Sequence, residues 1–322
     1  MKNILIYNSG GGLGDSIRLF TLITSLQNYF KKTEIYYLGA HQNHFLGSLK
    51  EYGIKIKTLD LGIKYFGFRW WHYCVAKRKF TKLGIDKFDL IIDLQSKIRN
   101  TIILNTIPSD NFYSTTYNFY FSTVKEKYIS ENESTNAIIK NLNTFLKLKI
   151  NVMNYNFENV SSEYIKEAKR LLPNNSYIGF SLTQGNAYRK KSWPIEKFIR
   201  LANKIRTKNK VPVFFIQKDN YDLVNLIKDK VSNALFPEHY SSKTCPALVT
   251  ALTCRLEKAV SIDNGIMHMM SLANVPLIVL FGPTNSQKFA PNGKNVTILD
   301  SNYLYKSNDI SKISVEEVFK HI

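Results

Sequence analysis

Three stretches of this sequence set glycine beside groups that handle charge. In the first, Ser9-Gly10-Gly11-Gly12-Leu13-Gly14-Asp15 follows a short apolar run and precedes a helical pattern. Glycines at such a turn let the backbone approach a ligand closely, and the helix N-terminus behind them favours an anion. The dinucleotide fingerprint fails, because the third glycine would fall at Asp15. A phosphate-binding P-loop fails too, since no Gly-Lys-Ser/Thr follows. Two readings of Asp15 remain open: a helix N-cap, or a general base at the carboxyl end of a strand. In the second stretch, Ser261-Ile262-Asp263-Asn264-Gly265-Ile266-Met267-His268, Asp263 is expected to cap a helix. The amides of Asn264 and Gly265 then lie at the positive helix end, with His268 about one turn in. That is a cradle for a diphosphate or a ribose, with a structural histidine as the alternative for His268. The third stretch, Gly185-Asn186-Ala187-Tyr188-Arg189-Lys190-Lys191-Ser192-Trp193-Pro194, joins a glycine turn to three cations and a Trp-Pro helix start. It reads as a basic loop facing the same crevice, or as a solvated charge run with a packed Trp.

The elements that must position these loops alternate between strand and helix. Apolar runs at 4–8, 34–38, 55–59 and 90–94 predict strands, and the helical spacing of Ile17, Phe20, Leu22, Ile23, Leu26 and Phe30 predicts a helix over 16–30. Residues 151–160 are polar and aperiodic. A boundary there separates an N-terminal domain, 1–155, from a C-terminal one, 156–322. The second half predicts strands at 177–182, 211–217, 259–263 and 277–281, helices at 161–172, 195–206, 221–230 and 266–273, and a last helix opened by Ser314-x-x-Glu317. Continuous apolar strands alternating with helices signal parallel sheets covered on both faces. The expected fold class is α/β: two Rossmann-like domains facing a central cleft, with ligands at the carboxyl ends of strands.

Composition narrows the function classes. A chain of 322 residues, 44% hydrophobic, carries ample core for two domains. No stretch approaches the roughly 20 apolar residues of a membrane span, and the N-terminus lacks the pattern of a signal peptide, so a cytoplasmic protein is expected. Cys74, Cys245 and Cys254 form no disulfide or metal spacing and are expected as small core residues. His41 and His44 have a spacing a metal could use but no evident third ligand, so no metal and no cofactor are expected. The net charge of +19 favours anionic partners, or else reflects a bias toward Lys throughout. No nucleic-acid motif accompanies it, and no nucleic-acid partner is expected.

Taken together, the motifs resemble glycosyltransferase family 9, the ADP-heptose:lipopolysaccharide heptosyltransferase-like proteins. Gly12-Leu13-Gly14-Asp15 looks like the family's N-terminal loop, and Phe88-Asp89-Leu90-Ile91-Ile92-Asp93-Leu94-Gln95 is similar to its D-x-x-x-D-x-Q strand. Gly185 to Lys191-Ser192-Trp193-Pro194 keeps its glycine to K-x-W-P spacing. Asp263-Asn264-Gly265-x-x-His268 and Phe281-Gly282-Pro283-Thr284 complete the order. The resemblance covers nearly the whole chain and implies the GT-B fold. It also implies Asp15 as the base that deprotonates the acceptor hydroxyl and Lys191 as the cation that neutralises the leaving diphosphate. Gly12, Gly14, Gly185, Asn186, Asp263, Asn264, Gly265 and His268 would hold the donor, and Gln95 and Arg99 would lie on the acceptor side. Asn264 departs from the family's Ser or Thr, and Asn186-Ala187 from its usual pair. The carboxylate expected after the second donor-domain strand is Asp219 or Asp222.

The implied activity is an inverting, metal-independent transfer of heptose from ADP-heptose onto a lipopolysaccharide core or related glycan. The partners are a nucleotide sugar and an anionic glycolipid or glycan acceptor. Lys64, Arg69, Lys77, Arg78, Lys79, Lys82 and Lys87, interleaved with Trp70, Trp71 and Tyr73, suggest peripheral contact with the cytoplasmic face of an inner membrane; an ordinary basic helix is the alternative. Rival functions are a GT-B enzyme with another nucleotide-sugar donor, a nucleotide-sugar epimerase, a transferase that has lost catalysis, and a nucleic-acid-binding protein.

Overall fold

The computed structural model describes residues 1–8, 12–39, 44–59, 61, 69–95, 97–124, 134–157, 162–174, 176–183 and 191–322. The chain divides into two compact units, Met1–Tyr155 and Asn156–Ile322. The first holds strands β1 (Asn3–Asn8), β2 (Glu34–Gly39), β3 (Lys57–Thr58), β4 (Phe88–Asp93) and β5 (Ser109–Ser114). They form one parallel sheet in the order β3-β2-β1-β4-β5. The second unit holds β6 (Tyr177–Ser181), β7 (Val211–Phe215), β8 (Lys258–Ile262), β9 (Leu277–Phe281) and β10 (Val296–Asp300), parallel in the order β10-β9-β8-β6-β7.

The central strands are buried on both faces, as their unbroken apolar runs require. Ile4, Leu5, Ile6 and Tyr7 are fully buried, as are Val279, Leu280 and Phe281. Each sheet has one point where the strand order reverses: between β1 and β4 in the first, between β6 and β8 in the second. Loops leaving the carboxyl ends of the two strands at such a point diverge to opposite faces and leave a crevice.

The helices follow local chemistry. Helix Ile195–Arg206 starts after Pro194, carries Glu196 in its first turn and Lys204 and Arg206 in its last, and buries Phe198, Ile199, Leu201, Ala202 and Ile205. Ser314 and Glu317 form a complete capping box on helix Val315–Lys320. Other expectations change. The helix expected over 16–30 is two helices, Leu13–Ile17 and Phe20–Tyr29. The first closes with a tight bond from the Leu19 amide to the Ser16 carbonyl, 3.2 Å. The strand expected over 55–59 pairs only at Lys57–Thr58. Strands β5 and β10 are not among those the apolar runs predict: Ser109, Asp110 and Asn111 open β5, and both strands are sheet edges with partly exposed residues. Cys74 and Cys254 are exposed and Cys245 is half-buried, so none is a core residue.

One carboxyl stands out in the second unit. Glu238 lies in the turn Pro237–Tyr240, and its Oε2 is shielded from solvent with no hydrogen-bond partner among the described residues. Burial pushes its pKa up to about 7, with Lys218 pulling weakly the other way. A folded-state value above the unfolded value means the folded chain keeps a proton that the unfolded chain releases. Stability therefore falls as pH rises from about 4.5 toward 7 and levels off above. Glu238→Gln is expected to flatten that slope and to gain roughly 2–3 kcal/mol at pH 8. Thermal unfolding of both proteins from pH 5 to 8 checks this; parallel slopes would remove Glu238 as the cause.

Candidate functional site

At the first switch point, Asn8 ends β1 and is buried (5% exposed). Its side-chain Oδ1 accepts from Gln95 Nε2 at 2.7 Å, and its Nδ2 donates to the Asp15 carbonyl at 3.4 Å. Gln95 is held in turn through its backbone amide, which donates to Asp93 Oδ1 at 3.0 Å. Asp93, at the end of β4, is 1% exposed. Its Oδ2 accepts from Thr101 Oγ1 at 2.6 Å and Ser114 Oγ at 2.9 Å, so its charge is met by hydroxyls from the following helix and from β5. A continuous path thus runs from Asp93 through Gln95 and Asn8 to Asp15. At the other end of the sheet, Asp89 Oδ2 accepts from the amides of Lys2 and Asn3 at 2.6 and 2.7 Å, and so fixes the start of β1.

Asp15 is not the N-cap. Gly12 holds that position, and Asp15 is the third residue of Leu13–Ile17, where a carboxylate suits the positive helix end. Tyr37 lies behind it, its phenol pushed up to about 12 by burial, with the negative charge of Asp15 adding to the effect. The Tyr37 hydroxyl donates to the Asn8 carbonyl at 3.3 Å. Gly14 is part of the same short helix. Gly12 has φ −88° and ψ 145°, a conformation open to any residue, so its glycine is explained by contact. A Cβ there would lie 3.2 Å from Asp15 Oδ2. Gly12→Ala is expected to leave the melting temperature nearly unchanged and to lower kcat about three- to tenfold, by moving the Asp15 carboxylate a few tenths of an ångström. Unaltered kcat in a well-folded variant would show that the carboxylate position does not matter. Arg99, exposed in helix Ile98–Asn105, sits in the first turn after β4.

At the second switch point the predicted roles of two neighbours change. Asp263 does not cap the helix after β8; Asn264 does, accepting from the Met267 amide at 2.8 Å. The Asn264 amide group also donates to Ser181 Oγ at 2.7 Å and the Thr183 carbonyl at 2.9 Å. A Ser or Thr can cap, but its single hydroxyl hydrogen cannot also supply both of those bonds. Asn264 therefore caps the helix and ties the ends of β6 and β8 together. Asp263, released from capping, is 8% exposed and faces a cation. Its Oδ2 pairs with Lys191 Nζ and accepts from Thr284 Oγ1 at 2.6 Å. Thr284 follows β9, and Gly282 brings it there: a Cβ on Gly282 would meet Ile310 Cβ at 2.8 Å and the Asn308 carbonyl at 3.0 Å. Lys191 is fixed from the other side by Trp193, 2% exposed, whose indole donates to the Ile313 carbonyl at 3.0 Å. The K-x-W-P stretch is thus a core anchor, Trp193, with a cation two residues before it. Gly265 is the first residue of the capped helix, and His268 is buried within it (6% exposed).

The structure therefore gathers Asp15 and Gln95 around Asn8, and Lys191, Asp263 and Asn264 around the end of β8. Gly185, Asn186, Arg189 and Lys190 lie outside the described residues, as do His41 and Lys64. Asn8, Tyr37 and Thr284 join the site without having been singled out for it. Asn8 had a signal, being the one polar residue closing an otherwise apolar strand. Among the described residues, no three of His, Cys, Asp and Glu gather in a group that could hold a metal.

The family model for glycosyltransferase family 9 (heptosyltransferase) matches residues 77–319, which takes in the end of the first unit's sheet and the whole K-x-W-P to Thr284 constellation. The chain belongs to that family. It is a glycosyltransferase with the GT-B fold of two Rossmann-like units. A family 9 glycosyl transferase from Veillonella parvula DSM 2008 is similar over 99% of this chain and 96% of its own, at 19% identity and a TM-score of 0.72. The Escherichia coli heptosyltransferase WaaC, solved with ADP-2-deoxy-2-fluoro heptose, is similar over 99% and 98%, at 14% identity and 0.67. The E. coli ADP-heptose lps heptosyltransferase II is similar over 100% and 97%, at 15% identity and 0.65. At these identities the likeness is one of fold. Comparison with curated protein sequences gives no match.

Proposed function

We propose that this family 9 glycosyltransferase moves heptose from ADP-heptose onto a glycan acceptor, with inversion and without a metal. The observation that carries the reading is the Lys191–Asp263–Thr284 cluster beside the Asn264-capped helix, at the switch point of the second sheet. A diphosphate placed there would meet an ammonium and helix-terminal amides, both fixed before the ligand arrives. An ammonium has three donors, so holding Asp263 is compatible with contacting a phosphate oxygen. Gly265 would offer its backbone amide, and Asn264 would hold the loop in shape.

In the transfer, the bond from the anomeric carbon to the diphosphate oxygen breaks through an oxocarbenium-like state. The electron pair leaves with the diphosphate, where Lys191 meets the developing charge. The acceptor oxygen forms the new bond from the opposite face, and Asp15 takes its proton. Two similar structures, a heptosyltransferase solved with ADP-2-deoxy-2-fluoro heptose and an ADP-heptose lps heptosyltransferase, support the choice of donor.

Thermal stability against ADP, UDP, GDP and ADP-heptose tests the donor. ADP-heptose at about a hundred times its Kd is expected to add about 2.7 kcal/mol of stability. A response confined to UDP or GDP would overturn heptose transfer. Turnover of a nucleotide sugar without any acceptor would favour the epimerase reading.

The proposed acceptor is a lipopolysaccharide core or related anionic glycolipid, met at the cytoplasmic face of a membrane. Support comes from helix His72–Lys82 and its approach: Trp70 is 74% and Trp71 45% exposed, Arg69 stacks on Trp71 at 5.5 Å, and Lys77, Arg78, Lys79 and Lys82 are exposed. No helix among the described residues is long and apolar enough to cross a membrane. Flotation with anionic and with neutral vesicles tests the contact; equal recovery with both would end it.

A further inference from the structure

The turn that follows β5 has a backbone no other described segment shares. Tyr117, Asn118 and Phe119 are three consecutive non-glycine residues in the left-handed region, with φ of 48°, 50° and 64°. Each pays a steric penalty there, and such conformations persist only where the surroundings over-determine them. Here they do. The Ser114 amide donates to Ser122 Oγ and that hydroxyl donates back to the Ser114 carbonyl, both at 3.0 Å. Further out along both arms, Phe112 and Thr123 exchange bonds of 2.8 and 2.9 Å. The Phe119 ring is buried against Tyr113, centroids 5.8 Å apart. Beside exposed Asn118, this turn presents two aromatic rings: Tyr117 is 70% and Tyr120 64% exposed.

The chemistry of the turn differs from that of the rest of the chain. From Asn111 to Val124 there is no charged residue, in a protein with a net charge of +19. The segment is built almost wholly of aromatic rings, hydroxyls and two side-chain amides, which suits an uncharged polyhydroxylated ligand and not a phosphate or a membrane surface. Sugar rings offer apolar C–H faces to an aromatic ring and hydroxyls to polar neighbours. Tyrosines held in place give contact area at little cost in side-chain freedom. Position agrees with this. The turn stands beyond the carboxyl end of β5, the same edge as Asn8, Gln95 and Asp93. In the sheet order it is two strands from β1, about 10 Å across. That is wider than one sugar ring.

We propose that Tyr117 and Tyr120 form a stacking platform for neutral sugar units of the acceptor, beyond the unit that receives the transferred sugar. The acceptor is then an oligosaccharide, recognised by its ring faces as well as by charge. This rests on the glycosyl-transfer reading above, but its test does not depend on turnover.

The probes are a lipid-free lipopolysaccharide-core oligosaccharide and the same glycan trimmed to its terminal sugar, titrated without donor by saturation-transfer NMR and calorimetry. Wild type is expected to bind the oligosaccharide more tightly than the trimmed sugar. The Tyr117→Ala/Tyr120→Ala protein is expected to lose about tenfold or more of that affinity, and Tyr117→Phe/Tyr120→Phe to keep it. Both residues are exposed, so melting temperature and ADP-heptose response are expected to match wild type. Equal affinity of wild type and the alanine variant overturns the platform, as does equal affinity for the two probes or no binding of either. A phenylalanine variant as weak as the alanine one overturns stacking. Loss of the ADP-heptose response in wild type would instead bring down the proposed function and leave the glycan result standing.

Discussion

Asp15→Asn will leave the protein folded and able to bind nucleotide while lowering sugar transfer by about 10²–10⁴, the usual worth of a positioned general base. The substitution keeps shape and removes the negative charge, and with it the capacity to accept a proton. Among the described residues, no hydrogen bond of the fold uses the Asp15 carboxylate. The helix is capped at Gly12, and it is the Asp15 carbonyl, not its carboxylate, that Asn8 contacts. The loss must therefore appear in kcat, with the ADP-induced thermal shift preserved. A carboxylate here that served only the helix dipole would cost well under 1 kcal/mol when neutralised and would leave turnover nearly intact. Wild-type kcat in Asp15→Asn would remove the base from the mechanism.

Lys191→Met will have the second large effect, about 10²–10³ in kcat, because the departing diphosphate loses its fixed counter-charge. The Lys191 and Asp263 side chains are only 14% and 9% exposed, so removing the lysine leaves a partly buried carboxylate held, among the described residues, by Thr284. Some loss of stability follows from that stranded charge. The double variant Lys191→Met/Asp263→Asn separates the two contributions. It is expected to recover melting temperature and not turnover. If turnover recovers as well, Lys191 serves Asp263 and not the leaving group.

Much of this was legible in the sequence because the decisive elements are buried on both faces. Ile4–Tyr7 and Leu277–Phe281 are short unbroken apolar runs rich in β-branched residues, the pattern of a parallel strand buried on both faces. Helix Ile195–Arg206 was readable to the residue, since Pro194, the acidic start and the basic end agree with its apolar spacing. The edges were not legible. Strand β5 opens with Ser109, Asp110 and Asn111, which no periodicity marks, and its pairing is decided by β4 beside it. Side-chain roles within a motif were also out of reach. Asp263 and Asn264 are adjacent and both can cap; which one does depends on Lys191 and Thr284 claiming Asp263 across 72 and 21 residues. Asn8 was visible as a residue but not as a bridge, because its partners Gln95 and Asp15 converge only once β1 and β4 pair.

The reversal of strand order has a temporal consequence. In the first sheet the strands flanking the reversal pair Ile4 with Leu90, and in the second Ile178 with Lys258, separations of 86 and 80 residues. These are costly loops to close during folding, and contacts of such range are slow to form. During synthesis, the path from Asp93 to Asp15 cannot exist until β4 has left the ribosome, and Asp263 cannot meet Lys191 until β8 has. Each of these two side-chain arrangements therefore waits on a long-range strand pairing within its own unit. A nascent chain halted before either pairing would carry the loops without the contacts that fix their side chains.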